Sequence, residues 1–229
     1  MTPDSPLSDA RIVDSWHRNA SPWTSAVREK QIQSRALVTN AAILDAVLSR
    51  NPRTVLDIGC GEGWLVRDLS ERGVRGTGVD VVPSLIEQAR AAGGGDFRVA
   101  SYEAIARGEL DITADVAVAN FSLIGKESVE GVFGRASMLL DDGGAFIVQT
   151  LHPVIATGDL PYEDGWREGS WTGFSTEFTD PAPWYFRTLE SWIRLFAEGG
   201  LRVVELREPV HPTTRKPASV IFIAERTQG

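Results

Sequence analysis

Between residues 54 and 150 the sequence alternates short β-branched apolar runs with amphipathic segments, and this alternation limits the possible folds most strongly. The runs that predict strands are "TVLDIG", "GTGVD", "FRVA", "DVAVAN" and "AFIVQT". The segments 62–72, from Pro83 to "GGG", and 126–140 carry apolar residues at helical spacing. Alternating strands and helices predict an α/β fold, a parallel sheet with helices on both of its faces.

The flanking regions extend this plan. A helix is expected over roughly 28–49, within an N-terminal helical cap of about 10–50. Residues 151–187 are too long for an ordinary connection and rich in aromatic residues, so they predict an insertion. A helix near 188–198 and the strands "RVVELRE" and "SVIFIAE" follow, and the short link between these strands predicts that they pair antiparallel. We therefore expect a seven-stranded, mostly parallel sheet whose last strand is antiparallel.

Composition narrows the class of protein. With 229 residues, of which 42% are apolar, the chain can bury one substantial core, so a single domain over 1–229 is expected. A formal net charge of -8 disfavours nucleic acid as a partner, because binding phosphates needs clustered Lys and Arg. The apolar runs are too short for a membrane span, and the polar start resembles no signal peptide, which predicts a cytoplasmic protein. The single cysteine, Cys60, allows no internal disulfide.

The first strand ends in a glycine-rich loop, "VLDIGCGEGW". In an open parallel sheet the first strand-to-helix turn lies where ligands bind. The spacing here is G-x-G-x-G, whereas the dinucleotide fingerprint is G-x-G-x-x-G, and Trp64 occupies the position of its last glycine. Asp57 adds a carboxylate where phosphates would lie. The loop thus disfavours NAD or FAD and favours a ligand without phosphates and with a cationic end.

These residues give the chain a resemblance to the class I S-adenosylmethionine-dependent methyltransferases, in their small-molecule methyltransferase-domain group. The similar segments are "VLDIGCGEG", "GVD", "DVAVANFSL" and "LLDDGGAFIVQT", within residues 50–150. The resemblance implies a Rossmann-like α-β-α sandwich, S-adenosylmethionine as cofactor and S-adenosylhomocysteine as product. It also implies that the methionine portion lies among Asp57, Gly59, Cys60, Gly61 and Gly63.

The same resemblance assigns the rest of the cofactor site. Asp80, followed by Val81, would bind the ribose hydroxyls, and a carboxylate can accept two hydrogen bonds from a cis-diol. Where the family often has an acid near the adenine, this chain has Ser101, followed by Tyr102 and Glu103. Either Ser101 or Glu103 could accept the adenine hydrogen bond, and all three residues are equally candidates for capping a helix. Asn120 and Phe121 would line the channel near the methyl group. Their "NFSL" differs from the N-P-P-Y type, which again disfavours nucleic-acid N-methylation.

Several other residues near the predicted site can be interpreted as functional or as purely structural. His152 directly follows the fifth strand, where an imidazole could act as a general base, although "HP" could also be a turn into the insertion. Arg28 and Arg35 could meet the methionine carboxylate or form a solvated helix face. The stretch "WHRNASPW" around His17 could fold over the cofactor. The aromatic residues of the insertion could wall a substrate pocket or form a small core of their own.

The leading hypothesis is a methyltransferase that acts on a small-molecule acceptor at O, N or C by in-line displacement, with the N-terminal segment and the insertion closing over the substrate. No cluster of His, Cys, Asp or Glu has the spacing of a metal site, so no metal is expected. Two alternatives stay open. One is an NAD-dependent oxidoreductase, and the other is a protein that binds S-adenosylmethionine without catalysis.

Overall fold

The computed structural model describes residues 5–227. Its α-helices are α1 (Asp9–Arg28), α2 (Asn40–Leu48), α3 (Trp64–Ser70), α4 (Pro83–Ala92), α5 (Tyr102–Ala106), α6 (Glu127–Ala136), α7 (Pro153–Ala156) and α8 (Leu189–Glu198). Its strands are β1 (Thr54–Ile58), β2 (Arg75–Asp80), β3 (Asp96–Val99), β4 (Ala114–Asn120), β5 (Leu140–Thr150), β6 (Gly165–Arg167), β7 (Trp184–Phe186), β8 (Leu201–Arg207) and β9 (Val220–Arg226). A π-helical segment, Arg35–Thr39, precedes α2, and a 3-10 turn, Ser137–Leu139, follows α6.

The main sheet has seven strands in the order β3-β2-β1-β4-β5-β9-β8. The strands β1 to β5 pair in parallel, and β9 is antiparallel to both β5 and β8. This confirms the predicted mostly parallel sheet and the antiparallel pairing of the last two strands. Because the chain leaves β3 and crosses to β4 beside β1, the order reverses at β1, and the carboxyl ends of β1 and β4 border a crevice.

Successive residues of the central strands point to opposite faces, and both faces are covered by helices. On one face Leu56 packs in a core with Phe133 of α6 and Phe196 of α8. On the other face Val55 packs with Ile43 of α2 and Leu65 of α3. The sheet is therefore rigid and buried, which fixes the strand ends that carry the site.

The N-terminal region differs from the predicted helix over 28–49. Helix α1 has 20 residues, ends at Arg28 and contains Pro22 in its interior. The chain then turns at Lys30, whose φ is 56°, and becomes helical again at Arg35. The prediction thus joined the last residue of one helix to the next one, because it gave no weight to the polar sequence before Arg28.

The insertion forms a small two-stranded antiparallel sheet, β6 and β7, outside the main sheet. It is attached to α1: Nδ2 of Asn19 donates to the carbonyl oxygen of Thr179 at 2.7 Å, and the Thr179 amide donates to Oδ1 of Asn19 at 2.9 Å. Asn19 is fully buried whereas Thr179 is exposed, so the two bonds run from the interior to the edge of the insertion. Helix α1 and the insertion therefore form one cover. Within residues 5–227 no helix combines the length and apolar character that crossing a membrane requires.

Candidate active site

The loop after β1 depends on glycine for its shape. Gly59, Gly61 and Gly63 all have left-handed φ values, of 75°, 57° and 83°. A Cβ at Gly59 would lie 2.4 Å from Cβ of Ser122, and one at Gly63 would lie 2.6 Å from Cε1 of Phe97. A Cβ at Gly61 would have more room, since the nearest atom to it would be Nε1 of Trp23 at 3.5 Å. The loop therefore offers its backbone to a ligand at Gly61 and packs tightly on either side.

Asp80, at the end of β2, fixes this loop. Its Oδ2 accepts a hydrogen bond from the Gly61 amide at 2.9 Å, and its Oδ1 accepts one from the Val82 amide at 2.9 Å. Burial raises the pKa of the Asp80 carboxyl, although these two backbone bonds oppose the rise. Each carboxylate oxygen still has a free lone pair for a ligand.

A first cavity lies over the loop and Asp80. It brings together eight of the residues that the sequence predicted for the cofactor site: Gly59, Gly61, Asp80, Val81, Ser101, Tyr102, Asn120 and Phe121. Ser101 lines this cavity and also caps a helix, since its Oγ accepts a hydrogen bond from the Ala104 amide at the start of α5. Tyr102 donates from its hydroxyl to the carbonyl oxygen of Ser122 at 3.1 Å.

Three predicted residues lie behind the cavity instead of on its wall. Gly63 begins α3 and contacts Phe97, and the Cys60 side chain is buried against the backbone of Gly78. Burial raises the pKa of the Cys60 thiol, so the side chain is a protonated space-filling group. Asp57 is also buried, and in the part of the chain that the structure describes its Oδ1 has no hydrogen-bond partner.

Burial disfavours the charged forms of both Asp57 and Arg35, so it shifts their pKa values in opposite directions. Burial, reinforced by the negative charge of Asp80, raises the pKa of Asp57 to about 7. Burial lowers the pKa of Arg35 to about 10, although the charges of Glu62 and Asp57 oppose this. The Arg35 guanidinium lies 5.3 Å from the ring centres of both Trp23 and Trp64. Trp64, whose position disfavours a dinucleotide, thus supports a cation next to the loop.

The structure distinguishes the two arginines of the sequence analysis. Arg28 is bound to protein groups, because its Nε lies 2.9 Å from Oε2 of the buried Glu62 and its Nη2 donates to the Gln88 carbonyl at 3.0 Å. Arg35 donates from Nε to Oδ1 of Asn40 at 3.2 Å, its one side-chain hydrogen bond within residues 5–227. Arg35 therefore keeps guanidinium donors free, and it lines the second cavity, which is described next.

A second cavity, of about 420 Å³, adjoins the first. Four residues line both cavities: Trp16, Trp23, Phe121 and Ile124. Further aromatic side chains complete the wall: Trp171, Phe174, Trp184, Tyr185, Phe186 and Trp192. The aromatic residues of the insertion thus line a pocket, which was one of the two possibilities that the sequence left open. Along the described part of this wall Arg35 and Arg187 are the charged residues, and no Asp, Glu or His is present.

Phe121, at the boundary of the two cavities, has a strained backbone. Its φ is 55°, which is uncommon for a bulky residue, and its amide donates to the Gln149 carbonyl at 2.8 Å. Ser122 next to it donates from Oγ to the Ile58 carbonyl at 2.6 Å. The ends of β1, β4 and β5 are thus held together where the cavities meet.

His152 follows β5 as the sequence predicts, but its side chain lies on the described wall of neither cavity. Its side chain is buried, and its Nε2 lies 2.7 Å from Oε1 of Glu208, beyond the end of β8. The other reading of "HP" describes its position, since His152 precedes the short helix α7 at the start of the insertion. The structure gives a general base at His152 no geometric support.

Sequence reasoning missed most of the contribution of α1. Ile12, Val13, Trp16 and Trp23 line the first cavity, and the spacing of seven residues between the two tryptophans puts them on one helix face. Asp9 anchors this helix, because its carboxylate accepts from the amides of Lys126 at 2.7 Å and Ser128 at 2.8 Å. The "WHRNASPW" stretch was the available signal, and its tryptophans, not His17, form the wall.

Comparisons with known proteins agree with this geometry. The profile of a methyltransferase-domain family matches residues 29–206. No curated protein matches the sequence.

Solved structures share the fold at low sequence identity. An S-adenosylmethionine-dependent methyltransferase from Mesorhizobium loti is 22% identical, with a TM-score of 0.60 over 80% of this chain and 98% of that one. One from Listeria monocytogenes is 19% identical, with a TM-score of 0.62 over 82% of this chain and 100% of that one. The glycopeptide N-methyltransferase MtfA, in complex with S-adenosylmethionine, is 16% identical, with a TM-score of 0.58 over 76% and 82%.

Proposed function

The chain belongs to the methyltransferase-domain family, and from that premise we propose that it methylates a small, mainly apolar molecule held in the aromatic cavity. It is an enzyme, and its cofactor is S-adenosylmethionine. In this proposal the whole chain is one methyltransferase domain, and α1 and the insertion cover the site that the sheet carries. The bonds between Asn19 and Thr179 support that arrangement.

The fit of the cofactor is supported chiefly by one observation, the incompletely paired charges of Asp57 and Arg35. An amino-acid tail carries an ammonium and a carboxylate, so it could satisfy both groups at once. Asp57 has a buried oxygen without a partner in residues 5–227, and Arg35 has free donors on its guanidinium. A pyrophosphate would meet the buried carboxylate of Asp57 instead, which argues against the NAD alternative.

The ribose and adenine would lie along the first cavity. Asp80 has lone pairs left for the two ribose hydroxyls, and its position is held by Gly61 and Val82. Ser101 and Tyr102, which begin α5, are the polar groups that we assign to the adenine end. Glycine at position 61 lets the ligand approach the backbone closely.

The acceptor cavity argues against a protein that only binds the cofactor. Its walls include four residues that also line the cofactor cavity, so a molecule in it would lie next to the cofactor. Bound S-adenosylmethionine supplies a methyl group activated by a sulfonium. Trp16, Trp23, Phe121 and Ile124 would orient the acceptor toward it and exclude water. Orientation of this kind can contribute about 7–11 kcal/mol to lowering a barrier.

The residues that line the second cavity indicate which kind of acceptor fits it. Rings dominate it, and the net charge of the chain is -8, so a small molecule is favoured over nucleic acid. The described wall has no Asp, Glu or His, which are the common general bases, and Tyr185 is the one phenol on it. An acceptor atom that is already ionised or otherwise nucleophilic at neutral pH therefore suits this cavity best.

The experiment compares two ligands that differ in the amino-acid tail. S-adenosylhomocysteine has it, whereas 5′-methylthioadenosine lacks it. We expect Arg35→Gln to weaken S-adenosylhomocysteine about tenfold or more in calorimetric titration, as loss of a charge-assisted bond would. Binding of methylthioadenosine should change less than about twofold, on the same scale. Equal losses for the two ligands would show that Arg35 does not bind the tail.

A further inference from the structure

We propose that the acceptor is a monocarboxylate with an aromatic body, and that Arg187 binds its carboxylate group. This inference rests on the proposed function and specifies the substrate class of the same cavity. Arg187 follows β7 directly and lies on the described cavity wall, and its side chain is almost entirely buried.

The position of Arg187 is set by the loop after β4. Its Nη1 donates to the Gly125 carbonyl at 2.8 Å, and its Nη2 donates to the Lys126 carbonyl at 3.1 Å. The Tyr185 amide donates to the preceding carbonyl, that of Ile124, at 2.7 Å. Strand β7 is therefore attached to the loop whose Ile124 lines both cavities, which holds the guanidinium close to the boundary between them.

No carboxylate among residues 5–227 lies within 4.0 Å of the Arg187 nitrogens, and the carboxylates whose charges act on it, Glu130, Asp164 and Asp9, lie farther away. Its two bonds to carbonyl oxygens use two of the five N–H groups of a guanidinium. Buried charges are normally paired, because removing a charge from water is costly. The chain carries 31 acidic and 23 basic residues, so an unpaired arginine here does not reflect a lack of acids.

Arg187 also lies close to two aromatic rings. Its guanidinium carbon lies 4.8 Å from the ring centre of Tyr185 and 5.4 Å from that of Trp192. Two carbonyl oxygens and two rings thus restrict the guanidinium, and a planar guanidinium can donate two parallel bonds to a carboxylate. The rings leave little polar surface elsewhere, so the rest of the ligand must be apolar, and an aromatic ring would stack well.

The charge of the cavity limits the ligand to one negative charge. Besides Arg187, the charged residue on the described wall is Arg35, which the proposed function assigns to the cofactor tail. A phosphate dianion would then face one guanidinium inside an aromatic cavity, with half of its charge uncompensated. A monocarboxylate is matched by Arg187 alone.

The test uses indole-3-acetate and indole-3-acetamide, which have the same body and differ in charge. The protein is first saturated with S-adenosylhomocysteine, and each probe is then titrated calorimetrically. We expect the acetate to bind about tenfold or more tightly than the acetamide. Arg187→Gln should abolish that preference, and Arg187→Lys should keep part of it. Arg194→Gln, at an exposed ion pair with Glu190, is the matched control and should leave the preference unchanged.

Each result decides the proposal. Equal affinity of the two probes, binding of neither, or a preference that survives Arg187→Gln would overturn it. If Arg187→Gln fails to fold, the wild-type preference and the Arg187→Lys variant still decide. Failure of S-adenosylhomocysteine to bind in the first step would instead overturn the proposed function, so the two failures are distinguishable.

Discussion

The amide of Gly61 donates a 2.9 Å hydrogen bond to Oδ2 of Asp80, which joins the glycine loop after β1 to the end of β2. This bond unites the two sequence motifs that first suggested the cofactor. In the proposed function Asp80 thus has two tasks, to shape the loop and to offer its remaining lone pairs to the ligand. The predictions below separate such structural tasks from binding.

Asp80→Asn should weaken S-adenosylhomocysteine about tenfold or more, because an amide accepts hydrogen bonds less strongly than a carboxylate. Methylthioadenosine should lose as much affinity, since it has the same ribose. Calorimetric titration measures both losses. Asp111→Asn, at an exposed acid, is the control and should leave both affinities unchanged. An unaltered affinity in Asp80→Asn would refute the ribose contact.

Gly59→Ala should prevent folding of the loop, and Gly73→Ala provides a matched comparison. The φ values are similar, 75° and 84°, so both variants bear about 1–2 kcal/mol of backbone strain. The new Cβ has no neighbour within 4 Å at Gly73 but lies 2.4 Å from Cβ of Ser122 at Gly59.

Urea denaturation should therefore show a loss larger by about 1–3 kcal/mol for Gly59→Ala. S-adenosylhomocysteine binding should be lost only in Gly59→Ala. Equal destabilisation by the two substitutions would mean that the tight packing around Gly59 is not needed.

Asp57 should make stability fall as the pH rises. Its pKa is about 7 in the folded chain and 3.8 ordinarily, so between these values the folded state binds more protons than the unfolded one. The stabilising contribution of the protonated group is thus complete below pH 3.8 and is lost as the pH rises through about 7.

Asp57→Asn removes this titration. Urea denaturation without ligand should show that the variant gains stability relative to the wild type as the pH rises from 3.8 to about 7, the window between the two pKa values. A difference between variant and wild type that does not depend on pH would contradict the raised pKa.

Asn19→Ala should loosen the cover that α1 and the insertion form. Without the side-chain amide, the amide and carbonyl of Thr179 lose their partners, which should cost about 1–3 kcal/mol. Hydrogen exchange should accelerate at the Thr179 amide. Thr172→Ala, at an exposed position of the same insertion, serves as the control with little effect. Unchanged exchange at Thr179 in Asn19→Ala would show that the bridge does not hold the cover.

The parts of the fold that the sequence predicted are those with local signals. Each of the strands β1 to β5 overlaps one of the short runs that predicted it, and Gly59, Gly61 and Asp80, at or just after the ends of β1 and β2, line the first cavity. Helix α1 was not delimited, because its stability depends on contacts with residues about 160 positions away, such as Thr179. The small sheet of β6 and β7 was missed for a similar reason, since both strands have three residues.

In the candidate site, too, local motifs were predicted from the sequence and contacts between distant residues were not. A motif shows which residues follow a strand, but it does not show which way a side chain points. His152 follows β5 as expected, yet its ring turns to Glu208, whose position depends on the fold of β8. Arg35 and Arg28 looked equivalent in sequence, and they differ because Glu62 is within reach of Arg28. Partners that are distant in sequence therefore decide what the strand-end motifs do.

The central claim is that the loop after β1 binds an adenosyl amino acid and not a dinucleotide. Calorimetric titration of the wild type with S-adenosylhomocysteine, and in parallel with NAD⁺, tests it most directly. We expect saturable binding of S-adenosylhomocysteine at one site per chain and no binding of NAD⁺. Binding of NAD⁺ with comparable affinity, or a folded protein that ignores S-adenosylhomocysteine, would contradict the account.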